Sequence, residues 1–189
     1  MSYLSQVVFA VLITIPVIGA GGILILLLKT RWLSLLQKPI DNNVHLWGEP
    51  LFGKNKTWLG VFTMCFFSGL IGGVLWFFSL QLQTQLPFRS IIASFLSFGL
   101  IGLTYSLGEL PNSFVKRRLH IPAGKLPHRT GRVAAELVDL LDGILAIGLV
   151  YVLFFSIPMK VIFISILFGT VVHWSLHKYM FIVGLKSKS

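Results

Sequence analysis

The sequence predicts an all-α integral membrane protein with about five transmembrane helices, its N-terminus outside and its C-terminus cytoplasmic. Three observations predict it. Of 189 residues, 55% are hydrophobic and 12% charged, against about 25% charged in an ordinary soluble domain, and the mean hydropathy is +0.84. Five apolar runs approach the ~20 residues that a bilayer-spanning helix needs. Finally, the sixteen Lys and Arg gather in alternate connections between those runs, the asymmetry that sets topology.

The first run, 7–28, follows the segment MSYLSQ, which has no positive charge, and precedes Lys29 and Arg31. A secretory signal has the reverse order, so this run is expected to be a retained span with its N-terminus outside. The loop 29–57 carries Lys29, Arg31, Lys38, Lys54 and Lys56. Spans 58–80 and 90–107 follow, and their connection holds one cation, Arg89. The loop 108–136 holds six, Lys116, Arg117, Arg118, Lys125, Arg129 and Arg132. The fourth span, 137–157, starts with Asp139 and Asp142, and only Lys160 separates it from the fifth, 161–177, which continues toward Val183. With Lys178, Lys186 and Lys188 in the tail, fourteen cations lie on one side and two on the other. The positive-inside rule makes the richer side cytoplasmic. The whole chain, 1–189, reads as a single polytopic domain. Its many Gly and Ser let helices pack closely in lipid.

The formal charge of +10 would suit nucleic acid on a soluble face. Here the cations lie between apolar spans, so no nucleic-acid partner is expected. Cys65 is the only cysteine and lies inside an apolar run, so it forms no intrachain disulfide and says nothing about compartment.

All six acids, Asp41, Glu49, Glu109, Glu136, Asp139 and Asp142, fall in or beside the two large loops. Asp139 and Asp142 are three apart, which on a helix puts both carboxylates on one face, and Glu136 extends the strip. Clustered carboxylates at a membrane boundary repel unless a cation lies between them, and Mg²⁺ takes such hard oxygens and shares them with phosphates. Acids dressing a helix N-terminus to suit its dipole explain the pattern equally well. The triplet Lys116–Arg118 suits a polyphosphate, although from spacing alone a topology-setting flank is the favoured reading. GEPLFGKNKT, Gly48 to Thr57, nearly spells a phosphate loop, but Asn55 stands where a hydroxyl is needed and a span follows instead of a soluble helix. What survives is a helix N-terminus beside Lys54 and Lys56 that can hold an anion. His173 and His177, four apart on the last span, have no third ligand there and read as buried, hydrogen-bonded histidines.

Four segments in order, PIDNNVHLWGEPLFGKNKTWLG, GELPNSFVKRRLHIP, DLLDG and HWSLHKYMFIVGLK, resemble the CDP-archaeol synthases, small five-span relatives of the bacterial CDP-diacylglycerol synthases. The resemblance runs from about Pro39 to the end. It implies a CTP-dependent, Mg²⁺-dependent cytidylyltransferase that forms a CDP-lipid, CDP-archaeol-like or CDP-diacylglycerol-like, in phospholipid biosynthesis. It assigns Asn55, Lys56 and Thr57 to nucleotide and phosphate binding, with Ser113 and Arg118; Asn112, next to Ser113, is expected to bind phosphate with them. Lys116, Arg117, Asp139 and Asp142 become catalytic, and Glu109, Asp139 and Asp142 become metal ligands. His173 matches the family's C-terminal histidine. The chain departs from the pattern at Glu109, where the family has Asp, at Leu59, where Arg is common, and at Pro111-Asn112. The stretch 125–138 is also longer than usual and carries extra cations.

The implied partners are CTP, a membrane lipid phosphate and the bilayer, with a homodimer left open. The implied location is the plasma or inner membrane, multi-pass, with the active site on the cytoplasmic side. An anionic-lipid transporter or flippase would use the same basic loops but line a path with charge, and a non-catalytic membrane subunit would need no clustered acids.

Overall fold

The computed structural model describes residues 3–30, 33–81, 86, 88–125 and 131–182, apart from the side chains of 81, 177, 180 and 181. Arg31, Arg129, Lys186 and Lys188, and the side chain of His177, lie outside the described part. Five helices are long and apolar enough to cross a membrane. They are α1 (Tyr3–Thr30), α2 (Trp58–Gln81), α3 (Ile91–Arg118), α4 (Arg132–Phe155) and α5 (Met159–Ile182). Large apolar side chains such as Phe62, Phe77, Leu153 and Phe163 face outward, as a lipid-solvated surface requires.

The helix ends follow local chemistry. Thr57 caps α2, its Oγ1 accepting from the Gly60 N–H at 3.2 Å. Ser90 caps α3 in the same way through the Ala93 N–H at 3.1 Å, satisfying an orphan first-turn donor. α4 stops at Ser156, which takes a left-handed φ of 50°, and Pro158 follows two residues on, a common end to a helix.

α3 and α4 are where hydropathy misplaces the boundaries. Hydropathy ends the third span at residue 107 and gives way to a loop. The helix instead runs on for three more turns to Arg118, and α4 begins at Arg132 rather than 137. Hydropathy marks the lipid boundary and not the end of the helix. Pro111 costs α3 one hydrogen bond but its fixed φ is helical, and it sits on an exposed face. At 1.5 Å per residue α3 is about 42 Å long, against about 30 Å of hydrocarbon, so its polar end projects beyond the membrane core.

The core lies between α1, α3, α4 and α5 around Ile13, Phe98, Ile101, Tyr151 and Val161. Pro16 interrupts the hydrogen-bond ladder of α1. Near it, the Tyr151 hydroxyl donates to the Ile13 carbonyl at 2.7 Å and ties α4 to α1. An aromatic chain, Phe98 to Phe88 at 5.1 Å and Phe88 to Phe155 at 5.4 Å, closes this end of the bundle.

The connection between α1 and α2 adds to the helices a short antiparallel ribbon, β1 (His45–Leu46) and β2 (Glu49–Pro50). Its turn, Trp47-Gly48, has φ of 53° and 82°. Both residues lie in the left-handed region that a two-residue hairpin demands; Gly48 adopts it without strain, and the exposed Trp47 ring has the Arg118 guanidinium 5.7 Å from its centroid.

Candidate functional site

The site forms where the projecting end of α3 meets the start of α4 and the loop before α2. On α3, Tyr105, Glu109, Asn112 and Lys116 recur at spacings of four, three and four and so share one face. On α4, Asp139 and Asp142 share another. The two helices approach closely enough to join these faces because Gly143 stands at the crossing. A Cβ there would lie 2.7 Å from Tyr105 Cε2 and 3.1 Å from its carbonyl oxygen.

The amide of Asn112 donates through Nδ2 to Asp139 Oδ1 at 2.6 Å and to Asp142 Oδ2 at 2.8 Å. Lys116 Nζ pairs with the same Asp139 oxygen, and the Gly143 N–H donates to Asp142 Oδ1 at 2.7 Å. One helical turn toward the membrane, Lys56 pairs with Glu109. The pairing of α3 with the α2 loop and with α4 therefore uses opposite charges in alternation. Lys116 and Arg117 are 9% and 6% exposed, so both are buried cations. Lys116 has its carboxylate. Arg117 Nε is buried without a hydrogen-bond partner among the described residues. A buried guanidinium with an unmet donor calls for an anion.

The loop 38–58 is built to hold Lys56 in place. Its two ends pair, Ile40 N–H to Lys56 O at 2.9 Å and Trp58 N–H to Lys38 O at 3.1 Å. Asp41, 7% exposed, accepts from the backbone N–H groups of Asn43, Phe52 and Gly53 at 2.9–3.1 Å. Burial pushes its carboxyl up, but these donors outweigh burial and hold it below the usual carboxylate range. Glu49, at the ribbon, is likewise held low, first by its bond to His120.

The expected site residues divide into those that converge and those that do not. Glu109, Asn112, Lys116, Asp139, Asp142 and Lys56 form one cluster. Arg117 and Ser113 are buried on a neighbouring face of α3, with Arg117 Cδ beneath Gly53. Thr57 is engaged as the α2 cap, and Asn55 lies at the exposed rim beside Gly124. Arg118 turns away from the cluster and donates to the carbonyls of Leu46, Glu49 and Pro50, strapping the ribbon to α3. Glu136 leaves the expected acidic strip and pairs with Arg132 at 3.2 Å. Leu59, where the family pattern has Arg, is fully buried.

Two participants escape a reading of the sequence. Asp41 counts there among the acids but not as the anchor of the loop. Tyr105 reads as part of an apolar run, although its four-residue offset from Glu109 is an available signal. Its hydroxyl lies 3.3 Å from His173 Nε2, and His173 Nδ1 lies 3.3 Å from the Leu140 carbonyl. That carbonyl can only accept, which places a proton on Nδ1; the Tyr105 hydroxyl has both His173 Nε2 and the Glu109 carboxylate as hydrogen-bonding neighbours. His173 is thus hydrogen-bonded at the floor of the polar site, as expected, but it is only partly buried there.

Among the described residues no three Asp, Glu, His or Cys side chains are gathered as a metal cluster. The donor set nonetheless suits a hard cation: two carboxylate oxygens from adjacent turns face one point, now spanned by a single amide nitrogen. Below the cluster opens a cavity of about 270 Å³, whose polar rim includes Lys56, Thr57, Tyr105, Glu109 and His173.

A family model described as CarS-like, CDP-archaeol synthase, matches residues 34–188. A CDP-archaeol synthase of Staphylothermus marinus is 30% identical over 157 residues, covering 78% of this chain and 76% of its own. Proteins of the same name from Thermococcus gammatolerans and Thermococcus kodakarensis are each 27% identical, over 79% of this chain and 81% of theirs. No solved structure matches the chain.

Proposed function

Given that the chain belongs to the CDP-archaeol synthase family, and so is a CTP-dependent cytidylyltransferase of lipid synthesis, we propose that it transfers CMP from CTP to a membrane lipid phosphate at the α3–α4 site. The product is a CDP-lipid of the CDP-archaeol or CDP-diacylglycerol type. The observation that carries this reading is the convergence of Asn112, Lys116, Asp139 and Asp142 at the polar end of α3.

In the transfer, an oxygen of the lipid phosphate forms a bond to the α-phosphorus of CTP. The bond to the β-phosphate bridging oxygen breaks, and pyrophosphate leaves with that electron pair. No covalent enzyme intermediate is needed, so the residues act by positioning and charge. Asp139 and Asp142 would hold Mg²⁺, and Glu109 would join them once Lys56 turns from it to a phosphate oxygen. The metal, when bound, supplies charge stabilisation to the entering and leaving oxygens. Asn112 fixes the spacing of the two aspartates. Lys116 and Arg117 neutralise phosphate charge, Arg117 through the Nε that has no partner among the described residues. Asn55 and Thr57 line the approach, Ser113 lies buried beside Arg117 on the neighbouring face of α3, and Arg118 acts by holding the ribbon. All these residues come from one chain, so the reading needs no partner copy.

The orientation proposed puts this site in the cytoplasm, with the N-terminus outside, in the plasma or inner membrane. The fourteen-to-two split of cations in the sequence supports it, with Lys56, Lys116 and Arg117 at the site and Arg118 beside it, and CTP is a cytosolic nucleotide. The ionisable groups named here gather at one end of the bundle, which favours interfacial chemistry over transport.

The test is to incubate purified protein in detergent with CTP, Mg²⁺ and a panel of diacyl and isoprenoid-ether glycerol phosphates. Pyrophosphate release with at least one acceptor is expected, and its loss on chelating the metal or in Asp142→Asn. No release with any lipid phosphate from folded protein would overturn the reading.

A further inference from the structure

Asn112 stands at the centre of the polar site, and its amide nitrogen lies at the point both aspartates face. Nδ2 is 2.6 Å from Asp139 Oδ1 and 2.8 Å from Asp142 Oδ2. Lys116 pairs with the same Asp139 oxygen. Two carboxylates, one ammonium and a neutral amide leave a net negative charge on partly buried groups, and a partly buried charge calls for a counter-ion. Glu109 is engaged elsewhere, in its pair with Lys56, and among the described residues no three Asp, Glu, His or Cys side chains gather as a metal cluster. Before a nucleotide arrives, a metal at the aspartates therefore finds two carboxylates and whatever oxygen a neighbouring side chain can add.

Asn112 can add one without any movement of its backbone. An amide NH₂ cannot ligate a hard cation, whereas an amide carbonyl oxygen can. The two ends of the side chain are nearly alike in shape and differ in what they donate or accept. The terminal torsion of asparagine is broad and roughly two-fold, so a half-turn exchanges nitrogen for oxygen at the same point. α3 fixes where that happens. Asn112 lies between Glu109 and Lys116 on the face that meets α4, and the close crossing at Gly143 keeps that face against both aspartates.

We infer that Asn112 is a third, neutral oxygen ligand of the metal and works in two positions. Without the metal its NH₂ clamps Asp139 to Asp142, as in this structure. With the metal its carbonyl oxygen turns inward, and the ion takes over the clamp. The inference rests on the cytidylyltransferase reading for the identity of that ion, Mg²⁺. The clamp holds the aspartates in register before the ion arrives, which lowers the ordering cost of binding. The neutral ligand adds an oxygen without adding negative charge, so the loaded site repels a triphosphate less than a site of three carboxylates would.

The experiment titrates Mn²⁺, standing in for Mg²⁺, into the purified full chain in detergent without CTP, and reads the free ion by its EPR signal. Two variants decide. Asn112→Leu and Asn112→Asp both lose the NH₂ that bridges the aspartates, but only Asn112→Asp keeps an oxygen in its place. Binding in Asn112→Leu should weaken by about tenfold or more, the scale of losing even a supporting partner of a metal. Binding in Asn112→Asp should match or exceed that of the wild type. Affinity in Asn112→Leu equal to the wild type's would overturn the inference, because the amide is then a clamp alone. Weakened binding in both variants would overturn it too, since the donor and not the oxygen would then matter. So would a wild type that takes up no Mn²⁺ without nucleotide. Thermal unfolding gives a second readout. Mg²⁺ should raise the midpoint of Asn112→Asp more than that of the wild type and leave Asn112→Leu almost unmoved; equal shifts in all three would count against the ligand. Pyrophosphate release, followed in parallel, keeps the two readings apart. Wild-type turnover alongside unimpaired Mn²⁺ binding in Asn112→Leu removes the ligand and leaves the reaction. The expected Mn²⁺ pattern in a wild type without turnover keeps the ligand and removes the reaction.

Discussion

Lys116 and Asp139 offer the sharpest separation of structural from chemical roles. Their side chains are 11% and 20% exposed, so the pair lies between a surface ion pair, worth about 0.2–1 kcal/mol, and a buried one, whose rupture costs about 3–5 kcal/mol. A charge-assisted hydrogen bond contributes about 1.5–3 kcal/mol. Lys116→Ala leaves Asp139 with Asn112 as its remaining partner, and Asp139→Asn leaves a buried ammonium unpaired. Removing both removes the mismatch, so the double variant should be more stable than the two single losses added together. A coupling of about 1.5–3 kcal/mol is expected from the same range, read by reversible unfolding in mixed micelles. A coupling below about 0.5 kcal/mol, the limit of ordinary additivity, would refute the pairing. Turnover should behave differently. The double variant recovers stability but not CMP transfer, because a neutral amide in place of the Asp139 carboxylate cannot supply the charge proposed to hold Mg²⁺. Normal turnover in Asp139→Asn would sink the metal role whatever the stability cycle shows.

Two further outcomes follow from the loop and the helix crossing. Asp41 is held below its ordinary pKa in the fold, so its stabilisation is complete above the unfolded value of about 3.9 and is lost as pH falls through the folded value; proteolysis within residues 42–53 should rise sharply there, and in Asp41→Ala it should be rapid at neutral pH, while equal protection in the variant would dismiss the anchor. Gly143→Ala drives a methyl against Tyr105 at a cost of about 1–3 kcal/mol, and by parting α3 from α4 it should lower CMP transfer at least tenfold in protein that still inserts; wild-type transfer would show that the crossing does not set the site.

What the sequence reveals, and what it hides, divides along physical lines. The five spans are legible because lipid imposes long apolar runs. The aspartate pair is legible because helical spacing fixes a shared face before any tertiary contact is known. The partners of that pair are less so: Asn112 and Lys116 belong to α3, and hydropathy assigns them to a loop, where no spacing argument applies. Once α3 is extended to Arg118, the same four-three-four arithmetic collects Tyr105, Glu109, Asn112 and Lys116. The separate fates of Lys116, Arg117 and Arg118 are hidden for a related reason. Three consecutive helical residues point about 100° apart, so one triplet supplies a pair for Asp139, a buried donor and a strap for the ribbon. Asp41 is hidden because its partners are backbone N–H groups, which nearly every residue has.

α3 is at once a spanning rod and the carrier of the side chains proposed to act on the phosphates, with no joint between the two parts. Anything that tips it in the membrane therefore moves Glu109, Asn112 and Lys116 relative to the head groups together. Adjusting a helix to a thicker or thinner bilayer costs only fractions of a kcal/mol per Å, small enough for ordinary changes in membrane composition to drive. If that site is the reactive one, the enzyme's output is tied to the thickness of the very sheet it helps to build.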